Sequence, residues 1–186
     1  MSTILVTYAS THGHTGKVAA RVAAAAETAG ATVERLEIAN AAHVDPSGYD
    51  AVVVGSSIHA GKHQREIVEW AKAHRAALNS LPSAFFTVCL TAAEDTEESR
   101  AATTTYLDDF LEATGWTPAT TATFAGALQY REYDFMTRLL MRLLMRKGGH
   151  PTDASRDYDY TDWGAVEKFG RACAALAPEP AGRPGF

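Results

Sequence analysis

The sequence predicts an α/β fold, a doubly wound parallel sheet with helices on both faces, on three observations. Strand-like and helix-like runs alternate for most of the length, the pattern of strands joined by helical crossovers. Asp50–Gly55 (Asp-Ala-Val-Val-Val-Gly) is apolar without interruption, as a strand covered on both faces must be. Between the first strand and the first helix lies Ala9-Ser10-Thr11-His12-Gly13-His14-Thr15-Gly16-Lys17, a loop of hydroxyls and glycines.

The elements follow in order. Thr3–Ala9 is the first strand, and an alanine-rich helix from about Thr15 to Ala29 is closed by Gly30. Thr32–Ile38 is the second strand and Asp50–Gly55 the third. A helix from about Gln64 to Leu78 puts Ile67, Val68 and Ala71 on one face. Ser83–Leu90, entered after Pro82, is the fourth strand, and Ser99–Thr114 is a helix stopped by Gly115. Thr120–Phe124 leads through Ala125-Gly126-Ala127 as the fifth strand and its exit. The last helix, about Asp162 to Leu176, is capped by Thr161 or Asp162. Two stretches exceed a minimal version of this plan: an insert of about 128–160, and a tail, 178–186, whose Pro/Gly composition predicts disorder. Residues 1–177 are expected to form one domain.

Bulk properties narrow the function. The 186 residues suffice for a large core without staples. A net charge of −5 argues against general nucleic-acid binding. Two distant cysteines, Cys89 and Cys173, without C-x-x-C or a secretory signal, fit a reducing cytoplasm. The chain starts almost at once in a strand, so no targeting peptide is expected. The longest apolar runs fall short of a membrane span.

A hydroxyl-rich loop at a helix N-terminus suits an anion, because free N–H groups and the positive end of the helix dipole converge there. Neither the P-loop nor the dinucleotide spacing is met: Gly13 and Gly16 are too close together, and Lys17 is followed by Val18. A terminal phosphate monoester such as that of FMN fits instead. In an open parallel sheet, ligands bind outside the carboxyl ends of the strands where strand order reverses. That rule adds the loop after the third strand, Ser56-Ser57-Ile58-His59-Ala60-Gly61-Lys62-His63, and the one after the fourth, Thr91-Ala92-Ala93-Glu94-Asp95. Alone, either of these two loops reads better as an ordinary turn. Together they offer a phosphate cradle and two walls for a planar heterocycle.

These residues resemble flavodoxin-like FMN proteins. Ser10, Thr11, Gly13 and Thr15 stand in the positions of the Ser/Thr-x-Thr-Gly-x-Thr pattern, with His12 where the pattern has a hydroxyl. More narrowly, the chain is similar to the menaquinone-dependent protoporphyrinogen IX dehydrogenase family. The likeness rests on Gly55–His63, Leu81–Val88, Ala125–Tyr130 and Tyr160–Trp163, and spans nearly everything from the first strand to the last helix. The resemblance implies strand order 2-1-3-4-5 and an FMN site at Ser10, Thr11, His12, Gly13, His14, Thr15, Ser57, Ile58, His59, Ala60, Gly61, Thr91, Ala92, Ala93, Asp95, Gly126 and Ala127. It also implies oxidation of protoporphyrinogen IX, a tetrapyrrole of heme biosynthesis, with a quinone as acceptor. Backbone amides of Thr91–Asp95 are expected at the N1 and O2 edge of the flavin, and no side chain is assigned as an obligate acid or base. A flavodoxin-type electron carrier, or a quinone reductase with another substrate, is the alternative.

The insert carries the substrate question. Tyr133–Lys147 reads as a helix with Arg138, Arg142 and Arg146 in one basic stripe beside a wide apolar face. It suits an anionic membrane surface and its quinone, the propionates of a tetrapyrrole, a dimer contact, or plain packing on its own domain. Tyr130, Arg131 and Arg142 are the candidates for binding substrate. The location expected is cytoplasmic, with peripheral contact at the inner face of the plasma membrane. Tyr130 and Trp116 are stacking candidates by position, whereas Trp163 reads as a packing residue. His12, His14, His59 and His63 gather in the loops without the cysteine or carboxylate context of a metal site, and no metal is expected.

Overall fold

A computed structural model describes residues 1–41, 43–128 and 157–177. The predicted insert helix, with Tyr130, Arg131 and Arg142, and the tail lie outside these residues. The strands are β1 (Thr3–Ala9), β2 (Thr32–Glu37), β3 (Ala51–His59), β4 (Lys62–His63), β5 (Ser83–Cys89), β6 (Thr120–Ala125), β7 (Ala127–Leu128) and β8 (Tyr158–Asp159). The helices are α1 (His14–Thr28), α2 (Ile38–Ala41), α3 (Arg65–Ala73), α4 (Arg75–Ser80), α5 (Glu97–Thr114) and α6 (Trp163–Leu176).

The parallel sheet runs β2-β1-β3-β5-β6, which is the expected 2-1-3-4-5 once the short hairpin strand β4 is set aside. Alternate side chains of each strand go to opposite faces. Ile4, Val6, Val53, Ala84 and Phe86 join Val18, Val22, Val166 and Phe169 of α1 and α6 in one core. Leu5, Val52, Val54 and Phe85 join Ile67, Trp70, Leu78, Phe110 and Trp116 in the other. Both faces of β3 and β5 are thereby sealed, as their unbroken apolar sequences require.

Two close approaches set the geometry. A Cβ on Gly170 of α6 would lie 2.5 Å from the Val22 carbonyl oxygen of α1, so those helices meet backbone to backbone. A Cβ on Gly55 would lie 2.1 Å from Phe86 Cζ, so that ring occupies the space above the strand.

Several sequence expectations need correction. The third strand continues past Gly55 to His59, turns through Ala60 (φ +49°) and Gly61 (φ +76°), and returns as β4. What reads as a loop is therefore a β-hairpin extension of the sheet, with Ile58 opposite His63 and His59 opposite Lys62. The helix expected from Gln64 to Leu78 breaks at His74, whose Nδ1 and backbone N–H both reach the Trp70 carbonyl, at 2.9 and 3.0 Å. The second strand ends at Glu37, and Ile38 begins the short α2 instead. Trp116 is no stacking surface: it is 1% exposed, packs edge-on against Phe85, and donates Nε1–H to Ser83 Oγ at 3.0 Å.

Candidate functional site

The chain passes from β1 to β2 on one side and returns to β3 on the other, so strand order reverses between β1 and β3. Ala9 is paired with Ser56 there. The two segments leaving these positions, 10–13 and the 57–63 hairpin, flank the resulting crevice. The turn after β5 and the exit of β6 lie at the same sheet edge.

Gly13 takes a left-handed backbone (φ +80°) that turns the chain into α1, and no side chain caps the helix. The first backbone bond into it is Lys17 N–H to the Gly13 carbonyl, at 3.2 Å. The N–H groups of His14, Thr15 and Gly16 precede that bond and have no partner inside the helix. The first turn contains no acidic residue to neutralise the dipole. By contrast, α5 begins with Thr96 accepting from Ser99 N–H and with Glu97 and Glu98 beside it.

Ser10 supplies the second observation. Its Oγ is buried in the loop without a hydrogen-bond partner among the described residues, which costs about 1–3 kcal/mol unless a ligand takes it. Thr15 is 2% exposed in the first turn. A buried unspent hydroxyl next to free helix N–H groups fits the phosphate end of FMN.

Other loop residues are occupied differently. Gln64, with its amide oriented to suit all its neighbours, donates to the Ala9 carbonyl and to Ser57 Oγ at 3.0 and 3.2 Å. It accepts from the Thr11 N–H and hydroxyl at 3.1 and 3.0 Å. It thus stitches the phosphate loop to β3, and the Thr11 hydroxyl is spent on it. Nothing in the sequence around Gln64 marks this role, because only tertiary structure brings residue 64 beside residue 11. His12 and His59 approach edge to face with ring centroids 6.1 Å apart, joining the same two segments. Ile58 is half-buried, while His59, Ala60 and Gly61 are exposed on the hairpin.

The return strand of the hairpin carries His63, whose ring packs against Phe85 and Phe110. Its Nε2 is 3.1 Å from the Tyr106 carbonyl and its Nδ1 2.9 Å from Ser56 Oγ. A carbonyl only accepts, so Nε2 carries the proton and Nδ1 accepts from the serine. Burial pushes the imidazole down to about 4, against the hydrogen bond to Tyr106 and the charge of Asp109. The His63 ring is therefore a neutral strut that ties the hairpin to α5.

The third segment is a single turn, Leu90–Ala93, closed by Glu94 N–H to the Thr91 carbonyl at 3.2 Å. Thr91, Ala92 and Ala93 are half-buried, and Asp95 is exposed and paired with Arg100. Gly126 packs where a Cβ would lie 3.4 Å from the Cys89 backbone, so the β6 exit, Gly126–Ala127, lies directly against this turn. A cavity of about 580 Å³ is lined by Ala92 and Ala93 together with residues of β6 and α6, Phe124, Lys168 and Phe169 among them, and by Tyr160. Burial raises both thiols, Cys173 to about 12, so neither is a nucleophile at neutral pH. Among the described residues, no three His, Cys, Asp or Glu side chains are grouped to hold a metal, and no helix is long and apolar enough to cross a membrane.

His14 is placed unlike a phosphate ligand. Its backbone N–H opens α1, but its imidazole turns away to Thr161, with Nε2 2.8 Å from Oγ1. Trp163 packs edge-on against it at 6.0 Å and bonds Asp159, the packing role its sequence position suggests.

A family model described as a flavodoxin domain matches residues 5–155. The protoporphyrinogen IX dehydrogenase (quinone) of Leishmania major is 34% identical over 173 residues, covering 92% of this chain and 74% of that protein. The protein of the same name from Escherichia coli strain K12 is 32% identical over 176 residues, covering 95% of this chain and 97% of its own. A short-chain flavodoxin associated with a bacterial microcompartment superimposes with a TM-score of 0.59 at 18% identity, covering 96% of this chain and all of that one. The two-electron reduced flavodoxin of Megasphaera elsdenii gives a TM-score of 0.55 at 17% identity, covering 92% and 98%. At these identities the two structures speak to the fold alone. Sequence identity of about a third along nearly the whole chain, on a sheet whose open edge fits a flavin phosphate, places the chain in the flavodoxin domain family, among the quinone-linked protoporphyrinogen IX dehydrogenases.

Proposed function

We propose that this protein is an FMN-dependent dehydrogenase that oxidises protoporphyrinogen IX to protoporphyrin IX and passes the electrons to a quinone, menaquinone in particular. The observation that carries the reading is identity of 32–34% over more than nine tenths of the chain to proteins bearing that activity in their names. FMN, when bound, supplies the hydride and electron chemistry. Each cycle removes two electrons and two protons from the macrocycle and delivers them to the quinone, giving a quinol.

The chain's own residues bind and orient. Ser10 Oγ and the N–H groups of His14, Thr15 and Gly16 hold the phosphate. The Ser57–Gly61 hairpin, fixed by His63 and Gln64, forms one wall. Thr91–Ala93 and Gly126–Ala127 form the other, with backbone amides for the polar edge of the ring. Arg131 and Arg142, with Tyr130, take the substrate carboxylates. The 133–147 stretch, in which arginines recur among apolar residues, contacts an anionic lipid surface where a lipophilic quinone resides.

An anaerobic assay of the purified flavoprotein with protoporphyrinogen IX and a menaquinone analogue tests the activity through porphyrin fluorescence. Quinone-dependent porphyrin formation is expected. No porphyrin, together with rapid reduction by a flavodoxin reductase, would replace this reading by that of an electron carrier. Sedimentation with vesicles containing anionic lipid, against zwitterionic vesicles, tests the membrane contact.

A further inference from the structure

The hydrogen-bond directions around His14 connect the phosphate loop to a distant part of the chain. Thr161 has one hydroxyl proton, and the Ala125 carbonyl 2.9 Å away can only accept it. The Thr161 oxygen must therefore accept from His14 Nε2–H at 2.8 Å, across 147 residues of sequence. Thr161 N–H goes to Asp159 Oδ1 at 2.9 Å, and Asp159 Oδ2 receives Trp163 Nε1–H at 3.2 Å. Tyr160 N–H reaches the Gly126 carbonyl at 3.3 Å. The histidine is 7% exposed.

The two ends of this bond have different tasks. His14 is the first residue of α1, directly after Gly13, and its own N–H is among the donors left for the phosphate. Thr161 follows β8, whose pairing with β7 (Ala127 opposite Asp159, Leu128 opposite Tyr158) forms the ladder at the exit of the sheet. The packing of α1 on α6 stands apart from this bond, resting on the Gly170 contact, the shared core and the Arg21–Glu167 ion pair at 2.8 Å.

We propose that His14 is a positioning residue that couples occupancy of the phosphate site to the β7–β8 ladder, its backbone N–H facing the phosphate and its Nε2–H holding Thr161. A phosphate that fixes the backbone of residue 14 also fixes its ring, and through it Thr161, Ala125 and Asp159. The coupling is reciprocal, so an intact ladder tightens FMN binding by the factor with which FMN steadies the ladder. The proposal rests on FMN occupying the Ser10–Thr15 loop. It does not depend on the identity of the reducing substrate.

The test uses apo-protein titrated with FMN, read by quenching of flavin fluorescence, and amide hydrogen exchange at residues 127–128 and 158–161 with and without FMN. In the wild type, FMN should slow exchange at those amides. In His14→Leu and in Thr161→Val, FMN should bind about tenfold more weakly and leave the ladder's exchange unchanged. The double variant should bind no more weakly than either single one, because one bond is broken in all three. If the two losses multiply, or FMN protects the ladder equally in the variants, the proposal fails. Should His14→Leu not fold, Thr161→Val decides between the same outcomes, since it leaves α1 and its N-terminus unaltered. A wild type that binds no FMN would remove the cofactor reading and this proposal together. Binding without transmitted protection would remove the proposal alone.

Discussion

Ser10 and His63 are both buried polar groups near the cofactor crevice, yet they serve opposite ends. The Ser10 hydroxyl has no partner among the described residues, so it weakens the apo fold and is available to a ligand. Ser10→Ala should therefore leave apo stability unchanged or raise it by up to about 1 kcal/mol. The same change should weaken FMN binding about 10- to 100-fold, through loss of a hydrogen bond to a charged oxygen. Urea denaturation of the apo-protein and flavin titration read the two effects separately. His63 has both ring nitrogens engaged and is held neutral by burial, down to about 4. Its pKa lies below the unfolded value, so the unfolded chain binds the proton more readily between the two. The stability this residue contributes is complete above about pH 6.5 and declines as pH falls toward 4. About 2 kcal/mol of it should be gone at pH 5. Urea midpoints at pH 7 and pH 5 should show that share of the loss in the wild type and not in His63→Gln.

At the level of elements, the β3–β4 hairpin and the α1–α6 pair do most to shape the site. The hairpin turns through Ala60 at φ +49°, a conformation a Cβ makes unfavourable. Ala60→Gly should stabilise the turn by up to about 1 kcal/mol, offset in part by the freer unfolded chain, and the net is measurable in urea. The α1–α6 pair depends on Gly170. A Cβ there would meet the Val22 carbonyl at 2.5 Å and Ala25 Cβ at 2.8 Å. Gly170→Ala should separate the helices and cost about 1–3 kcal/mol. FMN affinity should fall with it, because the shift acts at the helix whose N-terminus is proposed to face the phosphate. The break at His74 is milder: the ring reaches back to Trp70, and a new helical turn starts with Leu78 N–H on the His74 carbonyl at 2.9 Å.

For the whole molecule, FMN binds the folded chain alone and must stabilise it. At a hundredfold excess over the dissociation constant the gain is about 2.7 kcal/mol. For a domain of this size that corresponds to a rise in Tm of roughly 5–10 °C between apo and loaded protein, measured by scanning calorimetry. The rise should shrink in Ser10→Ala with the logarithm of the lost affinity, by about half for a tenfold loss.

Alternation of apolar runs made the sheet legible in the sequence, and the Ser10–Thr15 hydroxyls at a helix start suggested the proposed phosphate position. Their causes are local, being side-chain periodicity, β-branching, and the free N–H groups every helix start exposes. The extended hairpin was not legible, since polar residues in 56–63 read as a loop until pairing with β4 satisfies their backbone. The fates of His14, Gln64, His63 and Trp116 were not legible either. Each is decided by a partner far along the chain, at Thr161, Ala9 and Thr11, Tyr106, and Ser83. A hydrogen bond is directional and short, and a sequence holds no distances. The sequence by itself therefore determined the fold class and pointed to the loop at which an anion is proposed to bind. Only the tertiary structure decided which polar side chains are left for a ligand and which are spent holding the site together.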